Sequence, residues 1–183
     1  DQLQVELQKA DEKLATLSLT DGISGLPNHR AFREALLRDL ARADRSKTHI
    51  ALVVLDLDHF QQVNENYGPS SADLVLAGVS EELLDSVRVS DVLARVGGEK
   101  FALLLPATNL QGALIVAERV RTRIAERTFT GPRGPFHVTA SIGVAVMLGP
   151  HCRGRDGAIL DAAESGLNLA KQAGRNRVMV GSV

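Results

Sequence analysis

The chain of 183 residues has a single cysteine, Cys152. That excludes an internal disulfide and fits a reducing, cytoplasmic setting. An excess of charge of either sign is also missing: 21 Lys and Arg stand against 22 Asp and Glu, for a net charge of −1. This balance argues against a general binder of nucleic acid or of membrane surfaces, although a local basic patch stays open. The longest clean apolar run, Ile50 to Leu55, is far shorter than the ~20 residues that cross a bilayer, and nothing reads as a signal peptide. Internal repeats and low-complexity tracts are absent as well. The first residue is Asp, and the expectation is a piece of a longer protein. What is present is an ordinary globular balance, 44% hydrophobic and 23% charged. The length suits one domain with a real core.

The opening segment, DQLQVELQKADEKLATLSLTD, carries Leu3, Leu7, Ala10, Leu14 and Leu17 at spacings of 4, 3, 4 and 3. This is a heptad seam. Two readings fit it: an amphipathic helix packed on its own domain, or the end of a coiled-coil stalk entering from an upstream module. Thr20-Asp21-Gly22 is expected to end the helix, before a turn-rich loop, GISGLPN. Asn28 is placed to cap a helix over about 29–42. HIALVVLDLD is nearly continuous apolar and β-branched, so it reads as a central strand buried on both faces. A short helix and a longer one, about 70–87, follow it. A hairpin with strands near 92–96 and 101–105 comes next, then a helix over about 110–126. A strand in FHVTASIGVAVM, a helix over about 158–173 and a last strand, RVMV, complete the order. Strands alternate with helices, but a hairpin interrupts them. The fold class is therefore α/β with α+β character, a mixed sheet covered by helices.

Two places carry candidate chemistry. Asp56 leaves the central strand where open α/β sheets place ligands, outside a strand's carboxyl end. It reads as a metal ligand or a helix cap, and Asp58, one step nearer the next helix, is the better cap. The hairpin tip is Gly97-Gly98-Glu99-Lys100. Its glycines allow positive φ and close approach of a ligand. If the hairpin lies beside the central strand, Asp56 and Glu99 meet across the sheet. Two carboxylates plus phosphate oxygens suit Mg²⁺ arriving with a nucleotide.

At this point the chain resembles the GGDEF domains, the diguanylate cyclase family, from about residue 19 to its end. The landmarks are LTDGISGLPNHRAF, LDLDHFQQVNENYG, RVGGEKF, ASIGVAV and AKQAGRNRV, in that order. The resemblance implies a palm-like fold, with a central mixed sheet of five or so strands, helices around it and a hairpin. It implies a GGDEF domain over 19–183, which leaves the N-terminal helix over 1–18 outside it, with the coiled-coil linker one of its two readings. It implies the condensation of two GTP into cyclic di-GMP, a bacterial second messenger. By position, Asp56 and Glu99 match the Mg²⁺ ligands, and Asn64 and Asp73 the residues that read guanine. Gly97 and Gly98 match the glycines that admit the nucleotide, and Lys171 and Arg175 match phosphate-holding residues. For the last two, a basic helix end complementing its dipole is the plainer alternative.

The chain departs from the family at the fourth signature position, where Lys100 replaces Glu. An ammonium has no acceptor and cannot ligate Mg²⁺. The exchange also moves local charge by two units, where one unit pair at about 4 Å is worth up to about 4 kcal/mol. Gln61 for a usual Lys, Pro69 for His, Ala72 for Gly and Asn168 for Tyr point the same way. The expectation is a degenerate site without efficient turnover; the alternative is a working cyclase, with one GTP on each of two facing domains. Lys100 gripping GTP phosphates without turnover is a third course.

Just before the hairpin, Arg88 and Asp91 form the Arg-x-x-Asp that the family uses as an inhibitory site for its product, and Arg119 matches a supporting arginine. Arg offers a planar fork for a phosphate or a guanine edge. A surface ion pair is the bland alternative. The expected partners are thus cyclic di-GMP, GTP with Mg²⁺, a second copy through the N-terminal helix, and an upstream sensor or downstream output module. Nucleic acid and membrane contact are not expected of this segment.

Overall fold

The structure, a computed structural model, describes residues 2–183, apart from the side chains of residues 15 and 16. Asp1, the first residue of the expected N-terminal helix, lies outside the described residues. The elements are α1 (Gln2–Leu17), α2 (His29–Ser46), β1 (His49–Leu57), α3 (Phe60–Tyr67), α4 (Pro69–Leu84), β2 (Val92–Gly97), β3 (Lys100–Pro106), α5 (Leu110–Glu126), β4 (Phe129–Gly131), β5 (Gly134–Phe136), β6 (Ala140–Leu148), α6 (Asp156–Gln172) and β7 (Val178–Val180).

Five strands form one sheet in the order β2-β3-β1-β6-β7, antiparallel except for the β6–β7 pair. The apolar strand β1 is at its centre, and its near-continuous hydrophobicity follows from cover on both faces. Ala51, Val53 and Leu55 belong to a core with α4 and α5. Ile50, Leu52 and Val54 belong to a second core with α2 and α6. Successive side chains of a strand point to opposite faces, so the same alternation carries Asp56 to the α2/α6 side. In β3, Phe101 and Leu103 join the first core, and Ala102 and Leu104 the second. Lys100 therefore also faces α6.

Helix α6 lies close against the sheet because glycines face it. A Cβ at Gly143 of β6 would meet the Ala163 carbonyl oxygen and the Leu167 nitrogen, and one at Gly181 would meet the Ala162 carbonyl. This close seat sets how far α6 side chains reach over the sheet's end.

Several expectations shift. Asn28 caps α2, with its side chain accepting from the Ala31 N–H at 3.1 Å. Helix α1 ends at Leu17, before the expected Thr20-Asp21-Gly22. Its leucines do not pack on this domain: Leu3, Leu7, Leu14 and Leu17 are all exposed, Leu3 by 81%. The sequence FHVTASIGVAVM is not one strand. Phe136 pairs with Phe129 in a small separate hairpin, β4–β5, and β6 begins at Ala140. Phe136 stacks on Tyr67 there, with ring centroids 4.2 Å apart. Its apolar character comes from that aromatic contact rather than from the main sheet.

Candidate functional site

The end of β1 opens into a cavity of about 440 Å³ lined by Asp56, Asp58, Gln61, Glu99, Lys171 and Arg175, among others. The β1–β3 ladder runs out to the pair Asp56–Lys100, and the Leu57 N–H donates to the Glu99 carbonyl at 3.2 Å. The turn thus brings Glu99 beside the end of the central strand. Helix α6 adds Lys171, whose Nζ donates to Asp56 Oδ2 at 2.6 Å. The other oxygen, Asp56 Oδ1, is buried and has no partner among the described residues. An orphaned buried carboxylate oxygen is costly, and a cation would satisfy it.

Among the described residues, no group of three or more His, Cys, Asp or Glu converges as a metal cage. Two carboxylates, Asp56 and Glu99, line the cavity, and the unpartnered Asp56 oxygen is a donor atom of the type that fits Mg²⁺ coming with a nucleotide, where one or two carboxylates suffice and phosphates fill the shell. Asp56 and Glu99 would hold it, and the ion would supply charge stabilisation at phosphate oxygens.

Asp58 is not the cap of α3. His59 stands at the N-cap with φ 54° and makes no side-chain cap bond. Asp58 is buried and accepts from Thr139 Oγ1 at 2.7 Å, Ser141 Oγ at 2.6 Å and the Asn176 N–H at 3.0 Å. Three donors already fix this carboxylate, tying β1 to β6 and to the loop after α6. The glycine expectation also changes. Neither Gly97 nor Gly98 takes a left-handed φ. What they provide is open space: a Cβ at Gly98 would meet nothing within 4 Å.

Lys100 does not line the cavity. Its Nζ is 3.0 and 3.1 Å from the two carboxylate oxygens of Glu164 on α6. Asn64 and Asp73 are exposed on α3 and α4, and neither is among the cavity's lining residues. Gln61 lines it and donates to Glu65 Oε1 at 3.0 Å.

Behind the tip, Arg95 of β2 ties the turn to the N-terminal loop. Its Nη1 is 3.0 Å from both oxygens of Asp21, and its Nε donates to the Gly98 carbonyl at 2.8 Å. Burial alone would raise the Asp21 pKa. The Ser24 hydroxyl and N–H, together with Arg95, outweigh it and hold that carboxyl below its ordinary value. Sequence reasoning missed Arg95, Asp21 and Glu164. For Glu164 a signal existed: it stands seven residues before Lys171, which puts both on one helix face.

The second candidate region is the turn between α4 and β2. Asp91 Oδ2 accepts from the Arg88 N–H at 2.8 Å, and the Asp91 N–H donates to the Arg88 carbonyl at 3.1 Å. The bland ion pair is not formed. Among the described residues nothing pairs with the Arg88 guanidinium, which is exposed. Arg119 of α5 reaches the same turn, donating from Nη2 to the Ser86 carbonyl at 2.7 Å. Arg88 and Asp91 border a cavity of about 480 Å³ whose walls include Leu26, Leu84, Val87 and Val89.

The family model for the diguanylate cyclase GGDEF domain matches residues 18–177. The chain belongs to the GGDEF family. Among curated relatives, diguanylate cyclase DgcP of Pseudomonas aeruginosa is 38% identical over 163 residues, 89% of this chain. The chain spans 24% of that protein's length. Among solved structures, the GGDEF domain of DgcB from Caulobacter crescentus in complex with c-di-GMP matches with a TM-score of 0.83 and 30% identity. It covers 88% of this chain and 95% of its own. The coiled coil and GGDEF domain of the same protein, also in complex with c-di-GMP, matches with a TM-score of 0.83 and 27% identity. It covers 100% of this chain and 96% of its own. Within this GGDEF domain the signature turn is Gly97-Gly98-Glu99-Lys100-Phe101. Among the described residues, no helix is long and apolar enough to cross a membrane.

Proposed function

We propose that this GGDEF domain has little cyclase turnover, binds cyclic di-GMP through Arg88, Asp91 and Arg119, and passes its occupancy to another module of the same protein. The observation that carries this is the unpaired Arg88 guanidinium at the rim of an apolar-walled cavity, on a turn closed by Asp91. A planar cation with free donors suits a phosphate or a guanine edge, and apolar walls suit the faces of bases. The structural relative with c-di-GMP bound supports the ligand class. Asp91 retains acceptor capacity for guanine N–H groups, since a carboxylate accepts several bonds.

At the first region, Asp56 and Glu99 are assigned to Mg²⁺ on an incoming GTP, Lys171 and Arg175 to its phosphates, and Asn64 and Asp73 to its guanine. Gly97 and Gly98 leave room for it. Lys100 supplies no oxygen where the family has a carboxylate, and a loss of only about 4 kcal/mol of transition-state stabilisation slows a reaction roughly a thousandfold. The exposed leucines of α1 are assigned to a coiled-coil linker over 1–18 that pairs with a second copy, leaving 19–183 as the signalling domain.

Calorimetric titration of cyclic di-GMP into the nucleotide-free protein tests the proposal. Binding at micromolar concentration or tighter, weakened at least tenfold in Arg88→Ala, is expected. No binding, or equal binding by the variant, removes it. A second reading, a working cyclase, is favoured by one observation: the Lys100 charge is held on Glu164, off the cavity. Cyclic di-GMP formed from GTP and Mg²⁺ at rates typical of enzymes would select that reading instead.

A further inference from the structure

Asp56 and Lys100 are direct partners across the β1–β3 register. Opposite side chains on one face of an antiparallel pair have Cβ atoms about 5 Å apart, within easy reach for a lysine. Asp56 Oδ1 is buried and lacks a donor, and an ammonium brings three. On these facts alone Lys100 would close onto Asp56. Instead its Nζ is held by both oxygens of Glu164, at 3.0 and 3.1 Å. Glu164 and Lys171 are on the same face of α6, so this helix sets both neighbours of Asp56: Lys171 sits on Oδ2, and Glu164 takes away the other lysine.

From this juxtaposition we infer that Glu164 is a positioning residue that holds Lys100 off Asp56 and keeps the Oδ1 side of that carboxylate open to a divalent cation arriving with a nucleotide. The inference rests on the metal-site part of the proposed function. It changes the meaning of Lys100: the residue removes one ligand from the signature, but its charge is neutralised by a carboxylate of this chain and does not compete for the cation. It also implies that Lys100→Glu alone sets an acid against Glu164 rather than recreating a working tip.

The test is uptake of Mn²⁺ with a non-hydrolysable GTP analogue, read from the loss of the free-ion paramagnetic resonance signal. It compares the unaltered protein, Glu164→Gln, Lys100→Met and the double variant. Glu164→Gln is expected to weaken uptake about tenfold, because the freed ammonium falls on Asp56. Lys100→Met and the double variant should bind like the unaltered protein, since no ammonium is left to restrain. Equal affinity in Glu164→Gln, or a double variant as weak as Glu164→Gln, overturns the inference and leaves the metal site standing. No uptake by the unaltered protein overturns both. A readout without metal guards the result: thermal unfolding of Asp56→Asn and Lys100→Met, singly and together, should show coupling between the two residues only when Glu164→Gln is also present. Coupling of the same size with Glu164 intact counts against the inference.

Discussion

The two candidate regions are built in opposite ways. At the end of β1, charges come from across the chain: Asp56 and Asp58 from β1 and its end, Glu99 and Lys100 from the hairpin, Glu164 and Lys171 from α6 and the Asn176 N–H from the loop beyond. Nearly every one of these groups is already engaged by another. At the turn after α4, four residues close on themselves through Arg88 and Asp91, and only Arg119 comes from afar. There the main cation has no partner among the described residues. The difference teaches that the first region depends on how α6 and the hairpin dock, whereas the second needs little beyond its own turn. A change of chemistry at the first region, such as Lys100, is therefore absorbed by partners. A change at the second meets no such partner, and on the proposed function it falls on ligand binding directly.

The sharpest way to break this contrast is to lift α6. Gly143→Val puts a branched side chain against the Ala163 and Leu167 backbone. The loss should exceed about 3 kcal/mol, read by denaturant unfolding. Asp58→Ala comes next. It strands two hydroxyls and one N–H around a buried site, for a cost of about 3 kcal/mol and a disordered loop at Asn176, visible as faster amide exchange. Arg95→Ala leaves the Asp21 carboxylate and Gly98 carbonyl without their shared donor, for a cost of about 2 kcal/mol by the same unfolding measurement. At the second region the effects are small and separable. Asp91→Ala should cost about 1 kcal/mol because it uncaps the Arg88 N–H. Arg88→Ala should change stability by less than about 0.5 kcal/mol, since its guanidinium makes no bond to lose.

Acid provides a graded version of the same comparison. The folded-state pKa of Asp21 is depressed, so its contribution is complete above the unfolded value, about 3.9. As pH falls through the lower folded value, that contribution is lost. A pH series of thermal unfolding should therefore show a full, level gap between Asp21→Asn and the unaltered protein above about pH 4, closing as pH falls below it.

Much of this is legible in the sequence. The apolar run of β1, the cap at Asn28 and the helix over 110–126 follow local rules of periodicity and capping, and the structure follows them too. The family landmarks identified the two turns. Asp58 was misread because a carboxylate before a helix satisfies the capping rule equally well whether or not distant hydroxyls claim it. The Phe136 segment departs from the expectation because an apolar, β-branched run looks the same whether all of it joins a main sheet or its first residue pairs in a small hairpin.

By itself, the sequence determined the family, the order of elements apart from the β4–β5 hairpin and, through the two-residue period of strands, which face of the sheet each of Asp56 and Lys100 takes. Which carboxylate Lys100 meets was decided only by the tertiary structure. Asp56 lies across the ladder, and Glu164 lies on a helix seated 64 residues further along the chain. Both are within a lysine's reach. The docking of α6 against glycines sets the distances, and an ion pair depends on distance, which no local pattern encodes.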